Sequence, residues 1–537
     1  MSDPGDRGRR GLGPRDVAAA TGRTYDLIVV GGGVHGLCAT LHAVRAGVRV
    51  LLIDRDDFAS QTSANSLQIL HGGFRYLQSL DWQRLRESAR ARAWWMEQFP
   101  DLTAPLECVL PLDGRGVRRP EIFRAALALH HRLSRERPSL PEGRVERASS
   151  RPELVALMAS PPRHFAIWFD GIFPRPGRLA VELLRWAMEC GADALSHLEA
   201  RELLVRRSDR GGSEVAGVRA LDHESGREIE FHAARVLNCA GPWHAWAGSG
   251  SLHPPSVAFN LLFRGGIPGG SALAARARDG KNLFLWERDG CIHAGTRHLP
   301  WTAAVDRGAA VLVARPSAPV DQPPTVPADR SWIARADRPR IDSHHIDAFI
   351  DDLRTALPGL GLEKRDLLAV QIGFLPARAE GDAEMAQRDH FLDHASKGGP
   401  AGLFTVSGIK YTTAPVVAER ALRRMFRSKL LPTGPDRTVD RTGALAGIEI
   451  REIARSLAET PGPAARELQR LIDEEMVLHL DDLILGRLDG IHLGPALLPL
   501  AYRIVAQLGW DAERSARELA RLESRLAARM PTVGIEA

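Results

Sequence analysis

Apolar and polar positions follow two different periods in the first part of the chain. An unbroken apolar run over residues 25–30 predicts a buried strand, and apolar residues over 34–46 predict a buried helix that ends at Gly47. A second apolar run over residues 48–54 predicts another strand. Because strand, helix and strand follow one another directly, the pattern is typical of a parallel sheet with helices on its faces.

The rest of the chain changes pattern twice. Residues 194–241 hold short apolar runs between charged turns, which predict a small meander, and residues 251–365 hold short strands, glycine-rich turns and a proline-rich stretch. Strand-like runs follow at 367–375 and 403–406. Beyond about residue 436 the pattern is mostly helical, with 474–488 as its clearest helix. The chain therefore contains more than one domain.

The composition excludes several classes of protein. Of 537 residues, 44% are hydrophobic and 26% are charged, as in a soluble globular protein and unlike a disordered chain or a polytopic membrane protein. The 71 Lys and Arg nearly balance the 66 Asp and Glu and are spread along the chain, so no nucleic acid is predicted as a partner. Five cysteines without C-x-x-C spacing indicate neither a disulfide framework nor a zinc site, and no metal is predicted. A reducing cytoplasm fits this cysteine usage best.

A glycine cluster connects the first predicted strand to the first helix. Gly31, Gly33 and Gly36 have the spacing G-x-G-x-x-G, and Asp54 closes the second strand. The first glycine permits a tight turn, the second lets the backbone approach a pyrophosphate, and the third lets helix and strand pack closely. The helix N-terminus attracts phosphate, and Asp54 can accept hydrogen bonds from a ribose. The pattern predicts binding of NAD or FAD, and the alternative is a glycine turn required only for packing.

The next segment distinguishes these two dinucleotides. Residues 56–77 read D-D-F-A-S-Q-T-S-A-N-S-L-Q-I-L-H-G-G-F-R-Y-L. They resemble the FAD-dependent glycerol-3-phosphate dehydrogenases, which carry D-F-A-x-x-T-S-x-x-S-x-x-L-I-H-G-G-L-R-Y-L at this distance from the glycines. The resemblance extends to the C-terminus through four later segments: N-C-A-G-P-W at 238–243, R-D-H at 388–390, G-I-K-Y-T-T at 408–413 and L-H-L-D-D-L-I-L-G-R at 478–487.

The resemblance implies an α/β flavoprotein with three domains. One is a doubly wound, Rossmann-like FAD-binding domain that is discontinuous in sequence, one is a β-rich substrate domain, and one is a helical C-terminal domain. The predicted boundaries are 1–24 for a disordered leader, 25–100, 165–250 and 366–430 for the FAD-binding domain, 101–164 and 251–365 for the substrate domain, and 431–537 for the C-terminal domain.

The resemblance also implies a set of residues that contact FAD. Hydroxyl groups of the loop after the glycine motif would bind the pyrophosphate and the ribityl chain. Lys410, one of five lysines, would place positive charge near N1 and C2=O of the flavin and stabilise its reduced form, whereas a solvated surface lysine is the alternative. The implied set is Gly31, Gly33, Gly36, Asp54, Thr62, Ser63, Ser66, His71, Ala200, Gly241, Lys410, Tyr411 and Thr412.

The reaction that the resemblance implies is oxidation of sn-glycerol 3-phosphate to dihydroxyacetone phosphate, with hydride transfer to flavin N5. Arg75 and Arg388 would bind the anionic group, because guanidinium groups bind phosphate oxygens bidentately. Tyr76 would position the substrate, and Lys410 would act at the flavin. The implied electron acceptor is a quinone or oxygen, and the implied location is the cytoplasm, with peripheral contact with the membrane.

Three departures from the family pattern concern the substrate pocket. Residues 373–377 read G-F-L-P-A in place of G-V-R-P-L, so the arginine expected at the substrate phosphate is absent unless Arg378 reaches the pocket. Gly266 aligns with the histidine of the family's K-G-S-H. Residues 294–298 read A-G-T-R-H in place of I-G-T-T-D.

The third departure adds Arg297 and His298. One hypothesis is that these two residues replace the lost arginine and histidine, with His298 as the catalytic base. The alternative is a related flavoprotein oxidoreductase with a pocket rebuilt for another hydroxy acid, a polyol phosphate or an amine. A flavin-binding protein without turnover is the third hypothesis.

Overall fold

The computed structural model describes residues 12–527 and 529, apart from 78, 134–139, 209–210, 242–254, 281, 302–340, 380 and 427–447. The strands of this part, in chain order, are β1 (Thr24–Tyr25), β2 (Leu27–Val30), β3 (Val50–Ile53), β4 (Ile69–Leu70), β5 (Ala104–Leu112), β6 (Arg144–Arg147), β7 (His164–Ile172), β8 (Asp193–Leu195), β9 (Leu198–Arg207), β10 (Ser213–Asp222), β11 (Glu228–Ala233), β12 (Val236–Asn238), β13 (Pro255–Arg264), β14 (Ala272–Arg276), β15 (Asn282–Arg288), β16 (Cys291–Pro300), β17 (Leu367–Pro376), β18 (His390–Asp393) and β19 (Leu403–Ser407).

The α-helices of the described residues alternate with these strands and then dominate the C-terminal part. They are α1 (Val17–Thr21), α2 (Val34–Arg45), α3 (Trp82–Gln98), α4 (Pro120–Leu133), α5 (Pro152–Val155), α6 (Pro176–Glu189), α7 (Ser343–Ala356), α8 (Ala414–Met425), α9 (Ile450–Glu459), α10 (Pro461–Glu474), α11 (Leu497–Gln507) and α12 (Ala512–Ala527).

A six-stranded sheet, in the order β18-β19-β12-β2-β3-β8, forms the first layer. Its central strands are parallel and fully buried, and only the edge strand β18 runs antiparallel. Successive side chains of β2 point to opposite faces. Leu27 and Val29 pack in the cluster formed with α2, α6 and α8, whereas Ile28 and Val30 pack against a second, four-stranded sheet. The predicted α/β class is confirmed, with helices on one face and a small sheet on the other.

The four-stranded sheet has the order β1-β11-β10-β9 and corresponds to the predicted meander. The single strand predicted over 25–30 is instead two strands, β1 and β2, which belong to different sheets. Residues 12–24 also differ from the predicted disordered leader, because they contain α1, the buried Leu12, and Arg15, whose Nη2 is 2.6 Å from Oδ1 of Asp222. Residues 1–11 of that leader lie outside the described residues.

The largest sheet has the order β17-β13-β16-β15-β14-β5-β7-β4, with β6 beside β7. Three of its strands, β4, β7 and β17, come from segments that the sequence assigns to the FAD-binding domain. Here the prediction differs from the structure because an apolar run predicts a strand without identifying its partner. Both edge strands of the large sheet, β17 and β4, therefore come from segments that the sequence assigns to the FAD-binding domain.

The C-terminal helices α9 to α12 surround their own apolar cluster. The helix predicted over 474–488 is not continuous. α10 ends at Glu474, Met476 has a φ of +51°, and a short π-helical turn follows at Asp482–Arg487. The Asp482 carboxylate accepts hydrogen bonds from the backbone N–H groups of Leu478 and His479, which lie between α10 and this turn, and so stabilises the break. Among the described helices, none combines the length and the apolar character needed to cross a bilayer.

Candidate active site

A cavity of about 1400 Å³ lies between the six-stranded sheet and the large sheet. Its walls include the residues that follow β2, β3 and β12, together with side chains of β13, β16 and β17. The first three strands are parallel, so the cavity lies at their carboxyl ends, where open α/β sheets bind ligands.

The glycine turn at the start of α2 forms one wall of the cavity. Gly31 has a φ of +97°, and a Cβ there would lie 2.7 Å from the backbone of Ala240. A Cβ on Gly36 would lie 1.8 Å from the carbonyl oxygen of Gly31. The Ser63 hydroxyl accepts a hydrogen bond from the N–H of Val34, at 3.0 Å. Only glycine fits at the two crowded positions, and the turn leaves its backbone open to the cavity.

The Asp54 carboxylate ties this turn to the loop that follows β3. Its two oxygens accept hydrogen bonds from the N–H groups of Gly32, at 2.5 Å, and Asp56, at 2.8 Å. Burial raises the pKa of the Asp54 carboxyl to about 7. The group therefore already has a structural role in addition to the ribose contact predicted for it.

Residues 56–66, which we call the cofactor loop, are attached to the large sheet. Oγ1 of Thr62 accepts a hydrogen bond from the Phe374 N–H, at 2.9 Å, and Asn260 donates one to the carbonyl of Asn65, also at 2.9 Å. The predicted cofactor residues that line the cavity are Gly31, Gly33, Asp54, Thr62, Ser63, Ser66, His71, Ala200, Gly241, Lys410, Tyr411 and Thr412. Gly36 lies behind them, at the contact of helix and strand.

His71 and Asp170 form a hydrogen-bonded pair at the substrate-domain end of the cavity. Nδ1 of His71 is 3.2 Å from Oδ2 of Asp170, which is buried and also accepts hydrogen bonds from Gly72, Arg92 and Trp168. Burial alone would raise the Asp170 pKa, but His71 and Arg92 bring it well below its ordinary value. The carboxylate therefore stays ionised and orients the imidazole, whose side chain is 44% exposed and lines the cavity.

The segment before α8 forms the wall next to this pair. Lys410 lines the cavity, bonds through Nζ to the Tyr76 hydroxyl and lies 4.3 Å from the centre of that ring. The Thr412 hydroxyl accepts a hydrogen bond from the backbone N–H of His71, at 3.2 Å. Burial holds the pKa of the Tyr411 phenol well above its usual range. The structure thus brings the predicted residues Lys410, Tyr76 and His71 together.

Three arginines considered for anion binding have described side chains, and none of the three lines this cavity. Arg388 is exposed and lines a separate surface groove. Arg297 forms an ion pair with Asp352. Arg378 is exposed and pairs with Glu384, at 3.0 Å, so it does not replace the missing family arginine. Each predicted position lies close in sequence to a wall of the cavity, but its side chain is directed elsewhere by neighbouring carboxylates or by solvent.

Of the positions aligned with the family pattern, Gly266 lies outside the cavity and His298 lies in its wall. Gly266, two residues after the end of β13, is exposed and does not line the cavity, whereas Asn260 within β13 is buried and does. His298 lines the cavity, as its predicted role requires. Arg75 lies in a described turn, but its side chain is outside the described part of the structure.

Sequence reasoning missed a group of arginines from the C-terminal domain. Arg487 binds both oxygens of Asp57, at 2.6 and 3.0 Å, and both side chains are buried. Arg525 binds Asp56, at 2.6 Å, and Arg529 donates to a backbone carbonyl of the cofactor loop, at 3.1 Å. These partners are 430 and 469 residues apart. Segment 478–487 resembles the family pattern and contains Arg487, but the sequence does not indicate that this arginine contacts Asp57.

The cavity fits FAD in its chemistry as well as in its size. Nε2 of His35 and the hydroxyls of Ser60 and Ser66 are buried and have no hydrogen-bond partner among the described residues, although all three residues line the cavity. Buried polar groups without partners are costly, so these atoms indicate a polar ligand. The glycine turn at a helix N-terminus supplies the complementary pyrophosphate site.

The family model for FAD dependent oxidoreductase, DAO, matches residues 26–424. The chain belongs to this family. FAD is therefore its cofactor, and the chain is an FAD-dependent oxidoreductase.

Curated relatives carry the name that the motifs suggested. The glycerol-3-phosphate dehydrogenase of Synechocystis is 26% identical over 76% of this chain and 71% of its own length. The aerobic enzyme of Bacillus subtilis is 24% identical over 77% and 69%, and the human mitochondrial enzyme is 24% identical over 83% and 61%. The resemblance to this group is confirmed, and the chain spans about 60 to 70% of these relatives' lengths.

Solved structures show the same fold. The glycerol-3-phosphate dehydrogenase from Bacillus halodurans, complexed with FAD, superposes with a TM-score of 0.65 at 19% identity, over 96% of this chain and 97% of that one. An L-amino acid deaminase from Proteus vulgaris superposes with a TM-score of 0.53 at 14% identity, over 76% and 95%. Enzymes named for an alcohol and for an amine substrate therefore share this architecture.

Proposed function

We propose that the protein is a dehydrogenase that oxidises a secondary alcohol to a ketone, with sn-glycerol 3-phosphate as the first candidate substrate and dihydroxyacetone phosphate as its product. The observation that carries the proposal is the pair of His71 and Asp170, which lies in the cavity beside Lys410 and Thr412. An imidazole oriented by a buried carboxylate is suited to remove the hydroxyl proton of an alcohol.

The chain's own residues have separate roles in this reaction. FAD, when bound, would supply N5 as the acceptor for the carbinol hydrogen and its two electrons. His71 takes the hydroxyl proton on Nε2, because Nδ1 is held by Asp170. Lys410 would supply positive charge near the reduced flavin, and its bond to Tyr76, which is buried and does not itself line the cavity, would hold it in place. His298, the base predicted from sequence, lines the same cavity and is the alternative to His71.

The names of the relatives support sn-glycerol 3-phosphate as the first compound to test. A second candidate is another hydroxy acid, a polyol phosphate or an amine. Within this second candidate, the placement of Arg297, Arg378 and Arg388 favours the amine, because none of these side chains lines the cavity to bind an anionic group. Compensation for the missing family residues would then rest on His298 alone.

The electron acceptor and the location belong to the same proposal. A quinone or oxygen would reoxidise the flavin, and the protein would act at the cytoplasmic side of a membrane through peripheral contact. Steady-state turnover with a soluble quinone analogue and with oxygen would compare the acceptors. Sedimentation with vesicles of anionic lipid would test the membrane contact.

The first experiment is the visible spectrum of the purified holoprotein, recorded without oxygen before and after addition of sn-glycerol 3-phosphate. Bleaching of the oxidised flavin band supports the proposal with this substrate. A flavin that stays oxidised with sn-glycerol 3-phosphate but is bleached by another alcohol or an amine supports the second candidate. A flavin that no member of such a panel reduces contradicts the dehydrogenase proposal and indicates a flavin-binding protein without turnover.

A further inference from the structure

Four aromatic rings surround the substrate-domain end of the cavity. Phe74, Phe123, Trp168 and Phe284, which we call the aromatic box, all line it. The rings of Phe74 and Trp168 stack with centres 5.4 Å apart, and those of Phe74 and Phe123 are 5.8 Å apart. Trp168 and Phe284 meet edge to face at 6.2 Å. The spacings are typical of attractive aromatic pairs, so the four rings form one continuous surface.

The box is assembled from four elements that are distant in sequence. Phe123 comes from α4, Trp168 from β7 and Phe284 from β15, while Phe74 belongs to the turn that follows the cofactor loop. Leu110 of β5 adds an aliphatic side chain to the same wall. This end of the cavity is therefore aromatic and apolar, whereas the end near the glycine turn is rich in hydroxyl groups.

The box adjoins the proposed base. The ring centres of His71 and Phe284 are 6.0 Å apart, and Nε1 of Trp168 donates to the same oxygen of Asp170 that holds His71, at 3.3 Å. An alcohol carbon whose hydroxyl reaches His71 therefore has the box within reach of its substituent. The reacting carbon and the aromatic surface belong to one site.

The box suits an apolar group better than a phosphate or a cation. The Trp168 N–H is already bonded to Asp170, so the rings offer a phosphate no free donor, and a phosphate against them would lose water without compensation. Ring faces also attract cations. The nearby Asp170 carboxylate does not balance the charge of a bound cation, because it is already bonded to His71, Gly72 and Arg92. An apolar or aromatic substituent would contact the parts of these rings that face the cavity, mainly Phe74 and Phe284, since Phe123 and Trp168 are largely buried.

We infer that the substrate is an alcohol whose oxidised carbon carries an apolar substituent of about the size of a phenyl ring, and that the aromatic box binds this substituent. The inference rests on the proposed dehydrogenase function and, for that same site, favours this substrate class over sn-glycerol 3-phosphate. The reaction balances as before, with hydride passing to FAD and the hydroxyl proton to His71, and an aryl or alkyl ketone is the product.

The test compares two diols that differ only at the substituent, propane-1,2-diol and 1-phenylethane-1,2-diol. Each is mixed with the holoprotein without oxygen or any other acceptor, and the rate of flavin bleaching is measured. We expect the phenyl compound to reduce the flavin with an efficiency about 100-fold higher, since even one methylene group in an apolar pocket changes specificity by about 10-fold or more. Equal efficiencies, or a preference for the methyl compound, would overturn the inference.

Variants of Phe123 assign the preference to the box. Phe123→Ala should lower the efficiency with the phenyl compound about tenfold more than the efficiency with the methyl compound, because the larger substituent loses more contact with the box. Phe123→Trp should also disfavour the phenyl compound, because it fills the space, and it keeps the test valid if the alanine variant does not fold. Leu129→Ala is the matched control, since Leu129 lies on the same helix and is 39% exposed. An equal loss with both diols would overturn the inference.

A binding measurement separates this inference from the proposed function. If no alcohol reduces the flavin, the dehydrogenase proposal fails, and 2-phenylethanol is then titrated against the absorbance of the oxidised flavin. If 2-phenylethanol changes the flavin absorbance of the wild-type protein but not that of Phe123→Ala, the result supports binding of an apolar ligand in the box. No perturbation in the wild-type protein contradicts it. If Phe123→Ala slows only reoxidation by a quinone, the box serves the acceptor and the substrate assignment is wrong.

Discussion

The FAD half of the cavity is formed mainly by backbone groups, whereas the substrate half is formed by side chains from separate elements. The glycine turn, Asp54 and the cofactor loop follow one another within about 36 residues of sequence. The substrate half combines His71 and Asp170 with the aromatic box. Backbone sites require particular residues at fixed spacing, while a surface of side chains can change one residue at a time and keep the fold.

The largest expected effect comes from comparing a glycine of the FAD half with a glycine outside the cavity. Gly36→Ala should abolish FAD binding, because the added Cβ would lie 1.8 Å from the Gly31 carbonyl oxygen and force helix and turn apart. Gly266→Ala should have no effect on the flavin, since a Cβ there meets nothing within 4 Å. The ratio of flavin to protein absorbance after purification gives the result. Full flavin content in Gly36→Ala would contradict the argument from crowding.

A second substitution affects the substrate half alone. His71→Asn should slow flavin reduction by about 10² to 10⁴-fold, the usual contribution of a general base, and keep the flavin bound. The measurement is anaerobic stopped-flow reduction with whichever alcohol bleaches the wild-type flavin. His298→Asn is the control, and a larger effect there than in His71→Asn would return the role of base to His298.

These two halves also differ in how far the sequence predicts them. The glycine spacing, Asp54 and the hydroxyl-rich loop identify the FAD half, because the backbone dictates residue type there. The sequence does not predict that Arg388 and Arg297 turn away, since neighbouring carboxylates and solvent decide the direction of a long side chain. Nor does it predict the box, whose members lie on four elements. Helix and strand positions are mostly predictable, but the sheet to which β17 belongs is not.

The C-terminal domain extends the FAD half, and its buried ion pair provides the next test. Arg487→Met should lower the free energy of unfolding by about 3–5 kcal/mol, because it leaves the Asp57 carboxylate buried without its partner. Arg470→Met removes two partly exposed pairs, with Glu467 and Glu474, and should cost only about 0–1 kcal/mol for each. Denaturant unfolding of the holoproteins compares them. Similar values for the two variants would show that the buried pair adds no particular stability.

Asp54 gives the FAD half a dependence on pH. Its pKa is about 7 in the folded protein and 3.8 ordinarily, so the folded state binds an extra proton between these values. Its contribution to stability is complete below about pH 4 and is lost as the pH rises to about 7, by at most about 4 kcal/mol. The free energy of unfolding of the apoprotein is measured at pH 5 and pH 8 for the wild type and for Asp54→Asn. The difference between the two proteins gives the contribution of the Asp54 carboxyl. An identical pH dependence in the variant would exclude it.

The smallest expected effect tests whether the C-terminal domain positions FAD or only stabilises the protein. Arg525 and Arg521 lie on α12 and both bind Asp481, but only Arg525 also binds Asp56 of the cofactor loop. Asp56 in turn donates its N–H to Asp54, which holds the glycine turn. The Arg525 guanidinium is thus three contacts away from the glycine turn, through Asp56 and Asp54.

Removing this one contact should weaken FAD binding without affecting the protein elsewhere. Arg525→Gln should raise the Kd for FAD about threefold to tenfold, the equivalent of about 1 kcal/mol for a partly exposed pair, and Arg525→Lys should restore part of the affinity. Arg521→Gln should leave the Kd unchanged while losing the same bond to Asp481. Fluorescence titration of the apoproteins with FAD measures all three. Equal weakening in both glutamine variants would show that α12 acts on FAD only through general stability.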